Sequence, residues 1–103
     1  MIFKKIIEQQ FNVKVEREYK FHPKRRWRFD YAIPEYKIGI EIDGGIWIGG
    51  RHTSGTGFMK DMEKLNHAAM SGWLILRFTP EQKLLSWTLE QIKITIKYRK
   101  CQI

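Results

Sequence analysis

The sequence has little with which to cross-link itself and nothing with which to span a bilayer. Its one cysteine, Cys101, cannot close an internal disulfide, so nothing calls for an oxidising compartment. No apolar run approaches the roughly 18 residues that a membrane helix needs. The opening MIFKKIIEQQ turns polar too soon to read as a secretory leader, and a cytoplasmic address is the expectation. His22, His52, His67 and Cys101 show none of the spacings of zinc ligands. The stretch GGRHTSGTG lacks the Gly-Lys-Ser/Thr ending of a phosphate loop, which excludes nucleotide binding of that kind. There are no repeats, low-complexity tracts or Pro/Ser linkers, and 103 residues leave room for one domain, 1–103.

Acid is also scarce. Eleven Asp and Glu face 19 Lys and Arg, a formal charge of +8. On so small a body this creates a positive potential that favours anionic partners such as nucleic acid or an acidic membrane. The charge is clustered. Lys20, Lys24, Arg25, Arg26 and Arg28 form a stripe without an acid, interleaved with Tyr19, Phe21, His22 and Trp27. Cations beside aromatic rings suit phosphate contact and base stacking, although Trp27 by itself reads more simply as core. Apolar residues at 43% and aromatics at 14% mark a folding chain.

Periodicity supplies the elements. Residues 2–10 read as a helix, with Ile2, Phe3, Ile6 and Ile7 on one stripe, and 15–21 as a strand. Arg26–Tyr31 alternates, placing Trp27, Phe29 and Tyr31 on one face and Arg26, Arg28 and Asp30 on the other. Residues 33–37 carry turn chemistry around Pro34, and 38–43 alternate again up to Gly44-Gly45. Residues 46–57 read as a Gly-rich loop and 58–71 as a helix with Phe58, Met62, Leu65 and Ala69 on its apolar stripe, capped by Gly72. Residues 73–78 read as a strand buried on both sides. Thr79-Pro80-Glu81-Gln82 has the form of a helix start, with Leu85, Leu89, Ile92 and Ile96 forming the helix face. Residues 92–97 also alternate like a strand, but length favours helix. The fold class is α/β (α+β): order α-β-β-β-α-β-α, a central mixed four-stranded sheet flanked by helices.

Asp30, Glu41 and Asp43 are acids on strands otherwise built of Ile and aromatics. Period two sets Glu41 and Asp43 on one face, about 7 Å apart at Cα. A hairpin closing near 34–36 brings Asp30 opposite Glu41. Convergent carboxylates repel, and a hard cation, Mg²⁺ or Mn²⁺, resolves the repulsion. The plainer alternative pairs Asp30 with Arg28 or Arg26 and leaves Glu41 and Asp43 on a solvated face.

RRWRFDYAIPEYKIGIEIDGG resembles the core of the PD-(D/E)XK nuclease superfamily, and KDMEKLNHAAMSGWLILRFTP resembles the helix and strand that follow it in small phage and bacterial members. Some of these are very-short-patch repair endonucleases and others phage junction-resolving enzymes. The resemblance spans roughly residues 16–80. It implies a restriction-endonuclease-like fold and a Mg²⁺-dependent (or Mn²⁺-dependent) DNA endonuclease. Asp30 and Glu41, eleven positions apart, match the two acids of the motif. The Lys expected two residues after Glu41 is Asp43, which puts the activating cation in question. Lys60 and Lys64 on the following helix are candidates to replace it, and similarity to related domains favours Lys64. A further acid expected upstream points to Glu18, with Glu8 and Glu16 as alternatives. Repair-endonuclease relatives place a His near the reacting phosphate, where His52 stands.

The expected site is therefore Asp30, Glu41 and Asp43 with the Ile42–Gly44 backbone around the metal, Lys64, Glu18 and His52 in the chemistry, and Lys20, Lys24, Arg25, Arg26, Arg28, Arg51 and Lys60 on DNA. Paired cuts would need a homodimer, with Trp87 or the last helix as the contact. A DNA-binding module that has lost its chemistry and a basic RNA-binding protein whose acids are structural are the rival readings.

Overall fold

The computed structural model describes residues 2–43 and 55–102. It is an α+β domain built on a four-stranded mixed sheet. Helix α1 (Ile2–Phe11) leads through Asn12, in the left-handed conformation with φ 55°, to strand β1 (Glu16–Lys20). Asn is among the few side chains that adopt this conformation readily, so it ends the helix cleanly. Strands β2 (Arg28–Ile33) and β3 (Ile38–Ile42) are joined by a 3₁₀ turn at Pro34–Tyr36, with Lys37 left-handed at its end. Helix α2 (Gly55–Met70) crosses over to strand β4 (Leu74–Phe78), and a 3₁₀ turn at Pro80–Gln82 precedes helix α3 (Ser86–Lys100).

The strands lie in the order β1-β2-β3-β4, the first three antiparallel and β4 parallel to β3. A parallel neighbour requires a crossover long enough for a helix, and α2 provides it. One side of the sheet packs Ile33, Ile38, Ile40, Tyr31 and Phe78 against Phe3 and Ile7 of α1 and Ile92 and Ile96 of α3. The other packs Phe29, Ala32 and Trp73 against Ala68 of α2. Ile7, Ile33, Ile38, Ile40 and Ile92 are fully buried, each worth about 1.5–3 kcal/mol over leaving it in water. No helix among the described residues is long and apolar enough to cross a membrane.

Several expectations shift. Trp27, Phe29 and Tyr31 do not share a face: Trp27 and Phe29 lie with the α2-side aromatics, whereas Tyr31 packs with α1. Alternation breaks at Asp30, where the β1–β2 ladder skips the Glu18/Asp30 pair and Glu18 takes φ 50°. Helix α2 starts at Gly55, within the stretch read as loop, and its inward residue is Ala68; Met62 and Ala69 are exposed. Strand β4 is not buried on both sides, because it is the sheet edge, and Leu74, Ile75 and Leu76 are half-buried. Gln82 Oε1 accepts the Thr79 N–H at 2.9 Å as the capping pattern predicts, but the turn it closes is 3₁₀. Helix α3 begins only at Ser86, which leaves Leu85 exposed instead of on the buried face. Gly72 ends α2 with φ 87°, as expected.

Candidate functional site

The β2–β3 register pairs Tyr31 with Ile40, so one step further Asp30 faces Glu41. The two acids interlock through the backbone. The Asp30 N–H donates to Glu41 Oε2 at 3.3 Å, and the Ile42 N–H donates to Asp30 Oδ2 at 2.7 Å. Asp30 thus fills the place of a missing strand partner with its own carboxylate, which fixes that carboxylate at the end of the hairpin.

Glu41 points to the α2 side and is 9% exposed, the one buried carboxylate among the described residues. Lys64 of α2 reaches it: Nζ donates to Oε1 at 2.9 Å, with both side chains largely shielded. Burial raises the Glu41 carboxyl above its ordinary value, and the charge of Asp30 pushes the same way. The Lys64 hydrogen bond and charge, with the Asp30 N–H, work against them. The Glu41 carboxylate therefore has an ammonium in contact and the charge of Asp30 nearby, in a poorly solvated corner where unbalanced charge is costly.

Asp43 takes a different partner. Its carboxylate accepts from Arg77 Nε at 2.6 Å, and Arg77 also lies 3.6 Å from Asp61 of α2. The expected convergence of three carboxylates is thus a pair, Asp30 and Glu41, with the third acid held by an arginine. Among the described residues no group of three or more His, Cys, Asp or Glu side chains gathers as a metal cage. The Asp30–Glu41 pair nevertheless fits a divalent ion. Its donors are hard oxygens in local negative excess, and Mg²⁺ is commonly held by one or two carboxylates with water and substrate phosphate completing its shell.

Glu18 stands opposite Asp30 and lines a cavity of about 190 Å³ with Arg17, Asp30, Tyr31, Ile42 and Lys83. Its carboxylate is paired with Arg28 at 2.7 Å. Glu8 is committed elsewhere: it accepts the Val15 N–H at 2.9 Å, closing the α1–β1 connection. Glu16 sits beside Lys14 at 3.6 Å.

The basic stripe divides. Arg25 is pinned between Glu63 of α2 at 3.0 Å and the Trp27 ring at 3.9 Å. Arg28 serves Glu18. Lys20, Lys24, Arg26 and Lys60 are exposed and have no carboxylate partner within 4 Å among the described residues. His22 Nδ1 accepts the N–H groups of Lys24 and Arg25, which shapes the turn that presents them. Trp87 and Ile94 stay about half-exposed on α3. Arg51, His52 and Gly44 lie outside the described residues.

Sequence reasoning missed three cations. Arg77 was signalled, since it is the lone charge in an otherwise apolar strand. Arg17 and Lys83 come together only through the break at Glu18, which has no pattern in the sequence, and the turn before α3, whose capping pattern is legible but reads as the start of a longer helix.

Comparison with protein-family models, with curated proteins and with solved structures finds no match to this chain.

Proposed function

We propose that this chain is a metal-dependent endonuclease that hydrolyses phosphodiester bonds in DNA, with a restriction-endonuclease-like arrangement of strands and helices. The observation that carries the reading is the Asp30–Glu41–Lys64 constellation. Two interlocked carboxylates sit at the end of a hairpin, and a helix ammonium lies 2.9 Å from the buried one. A structural ion pair does not need the second acid, whereas phosphoryl chemistry uses all three groups.

In this reading Asp30 and Glu41 hold Mg²⁺ or Mn²⁺, which would polarise the scissile phosphate and lower the pKa of a bound water. Lys64 faces the charge that develops on the phosphate oxygens, taking over the role left open by Asp43. Its present hydrogen bond to Glu41 holds the ammonium in place beside the two acids. Arg77 keeps the Asp43 carboxylate occupied, and Lys20, Lys24, Arg26 and Lys60 supply the exposed charge for the DNA backbone. With few groups suited to reading bases, recognition rests on DNA shape. Paired cuts would require a second copy of the chain.

One observation favours a non-catalytic DNA-binding module instead: Glu41, Asp43 and Glu18 each already have a cationic partner. The two readings separate in one assay. Supercoiled plasmid and a labelled four-way junction are incubated with Mg²⁺, Mn²⁺ or EDTA, using wild type, Asp30→Asn and Glu41→Gln. The nuclease cuts with metal, not with EDTA, and both variants lose more than about a hundredfold in rate. DNA binding without any cutting by wild type would establish the module.

A further inference from the structure

The carboxylate of Asp30 has a second neighbourhood, away from Lys64. The 190 Å³ cavity that it lines lies on the α1 and α3 side of the hairpin end, bounded by Tyr31 and by Lys83 from the turn before α3. Its charge differs from that of the rest of the site. Lys64, Arg77, Arg25 and Arg28 are each neutralised by a carboxylate at 3.0 Å or less. Arg17 and Lys83 have no carboxylate within 4 Å among the described residues. Lys83 Nζ instead rests 5.8 and 5.9 Å from the ring centroids of Phe3 and Tyr31. Of the two acids in the cavity, Glu18 is spent on Arg28, and Asp30 accepts the Ile42 N–H.

We propose that this cavity is a phosphate subsite in which Arg17 and Lys83 hold a phosphodiester of the bound strand, next to the one presented to Asp30, Glu41 and Lys64. The proposal rests on the nuclease reading above and adds to it where the strand runs. The guanidinium offers a planar fork of donors and the ammonium three more, which suits the two non-bridging oxygens of a phosphodiester. A volume of about 190 Å³ is below the usual range of a small-molecule site and suits one anionic group with its water. Asp30 would then lie between two phosphates, one on each side of the hairpin end, and any metal it holds would offset its repulsion of both.

The test is binding of a labelled duplex and a four-way junction, with Ca²⁺ replacing Mg²⁺, across a salt series, followed by cleavage kinetics in Mg²⁺. Arg17→Gln and Lys83→Gln are each expected to weaken DNA binding about tenfold and to lower the salt slope by about one. They raise KM more than they lower kcat and leave the Mn²⁺-induced rise in Tm in place. Lys83→Arg retains binding, which separates loss of charge from loss of packing. Lys5→Gln removes an exposed α1 charge outside the cavity and has little effect.

If wild type cuts DNA and the two Gln variants bind as Lys5→Gln does, the subsite is overturned and the nuclease reading stands. If wild type neither binds nor cuts DNA, that reading fails and the subsite falls with it. An effect of Arg17 and Lys83 on inorganic phosphate binding, without one on DNA, would overturn the assignment to a strand.

Discussion

Glu41 and Lys64 depend on each other more than any other charged pair in the described structure. Removing one partner of a buried ion pair leaves the other uncompensated, whereas removing both can cost little. Lys64→Met is therefore expected to destabilise the domain by about 3 kcal/mol in urea unfolding, and Glu41→Gln with Lys64→Met to recover much of that. A neutral Lys64→Met would mean that water already solvates the carboxylate. Gly39 is a second sensitive residue. A Cβ there would lie 2.8 Å from the Phe29 ring, and that ring is stacked on Phe21 at 4.3 Å, so it has little room to yield. Gly39→Ala should cost about 1–3 kcal/mol by overpacking. Gly inside an isoleucine strand is a legible sign of close approach, although the ring that approaches cannot be named from sequence.

Local patterns identified the elements, and long-range packing decided their faces. The helices, the hairpin and the opposition of Asp30 to Glu41 follow from period and turn chemistry, which depend on neighbours in the chain. The faces of β2 and α2 do not. Glu18 takes a conformation unfavourable for a non-glycine residue, and this reverses the alternation at Asp30. Helix α2 turns Ala68 inward and brings Lys64 to the buried carboxylate, and leaves Met62 and Ala69 exposed.

Glu8 belongs to this scale as well, since it ties α1 to β1. The Val15 N–H it accepts, with Lys4 adding, holds its carboxyl below its ordinary 4.5. A lowered folded value contributes stability above the unfolded pKa and loses it as pH falls through the folded one. Glu8→Gln should therefore flatten the acid limb of the stability curve below about pH 5, with little change in shape near neutrality. An unchanged acid limb would show that the Val15 bond is not formed by the ionised acid. Arg99 ties the end of α3 to the carbonyls of Lys37 and Gly72; Lys37 O keeps the Leu74 N–H without it, so Arg99→Ala should cost about 1 kcal/mol, chiefly through the Gly72 carbonyl.

The molecule as a whole carries eight surplus positive charges, but their placement matters more than their number. The stripe at 20–28 was visible in the sequence. The structure retires Arg25 and Arg28 into ion pairs and leaves Lys20, Lys24, Arg26 and Lys60 exposed. If these four each meet a phosphate, they contribute about −3 to −4 to the log–log slope of DNA affinity on salt, beyond what Arg17 and Lys83 add. A slope near −1 would mean that the stripe is not the binding face. Catalysis in this reading turns on a divalent metal held jointly by Asp30 and Glu41. Calorimetric titration of the folded protein with Mn²⁺ measures this. Wild type should bind with a defined stoichiometry, and Asp30→Asn and Glu41→Gln should each abolish binding while remaining folded. Equal Mn²⁺ binding by all three proteins, or none by wild type, would contradict it.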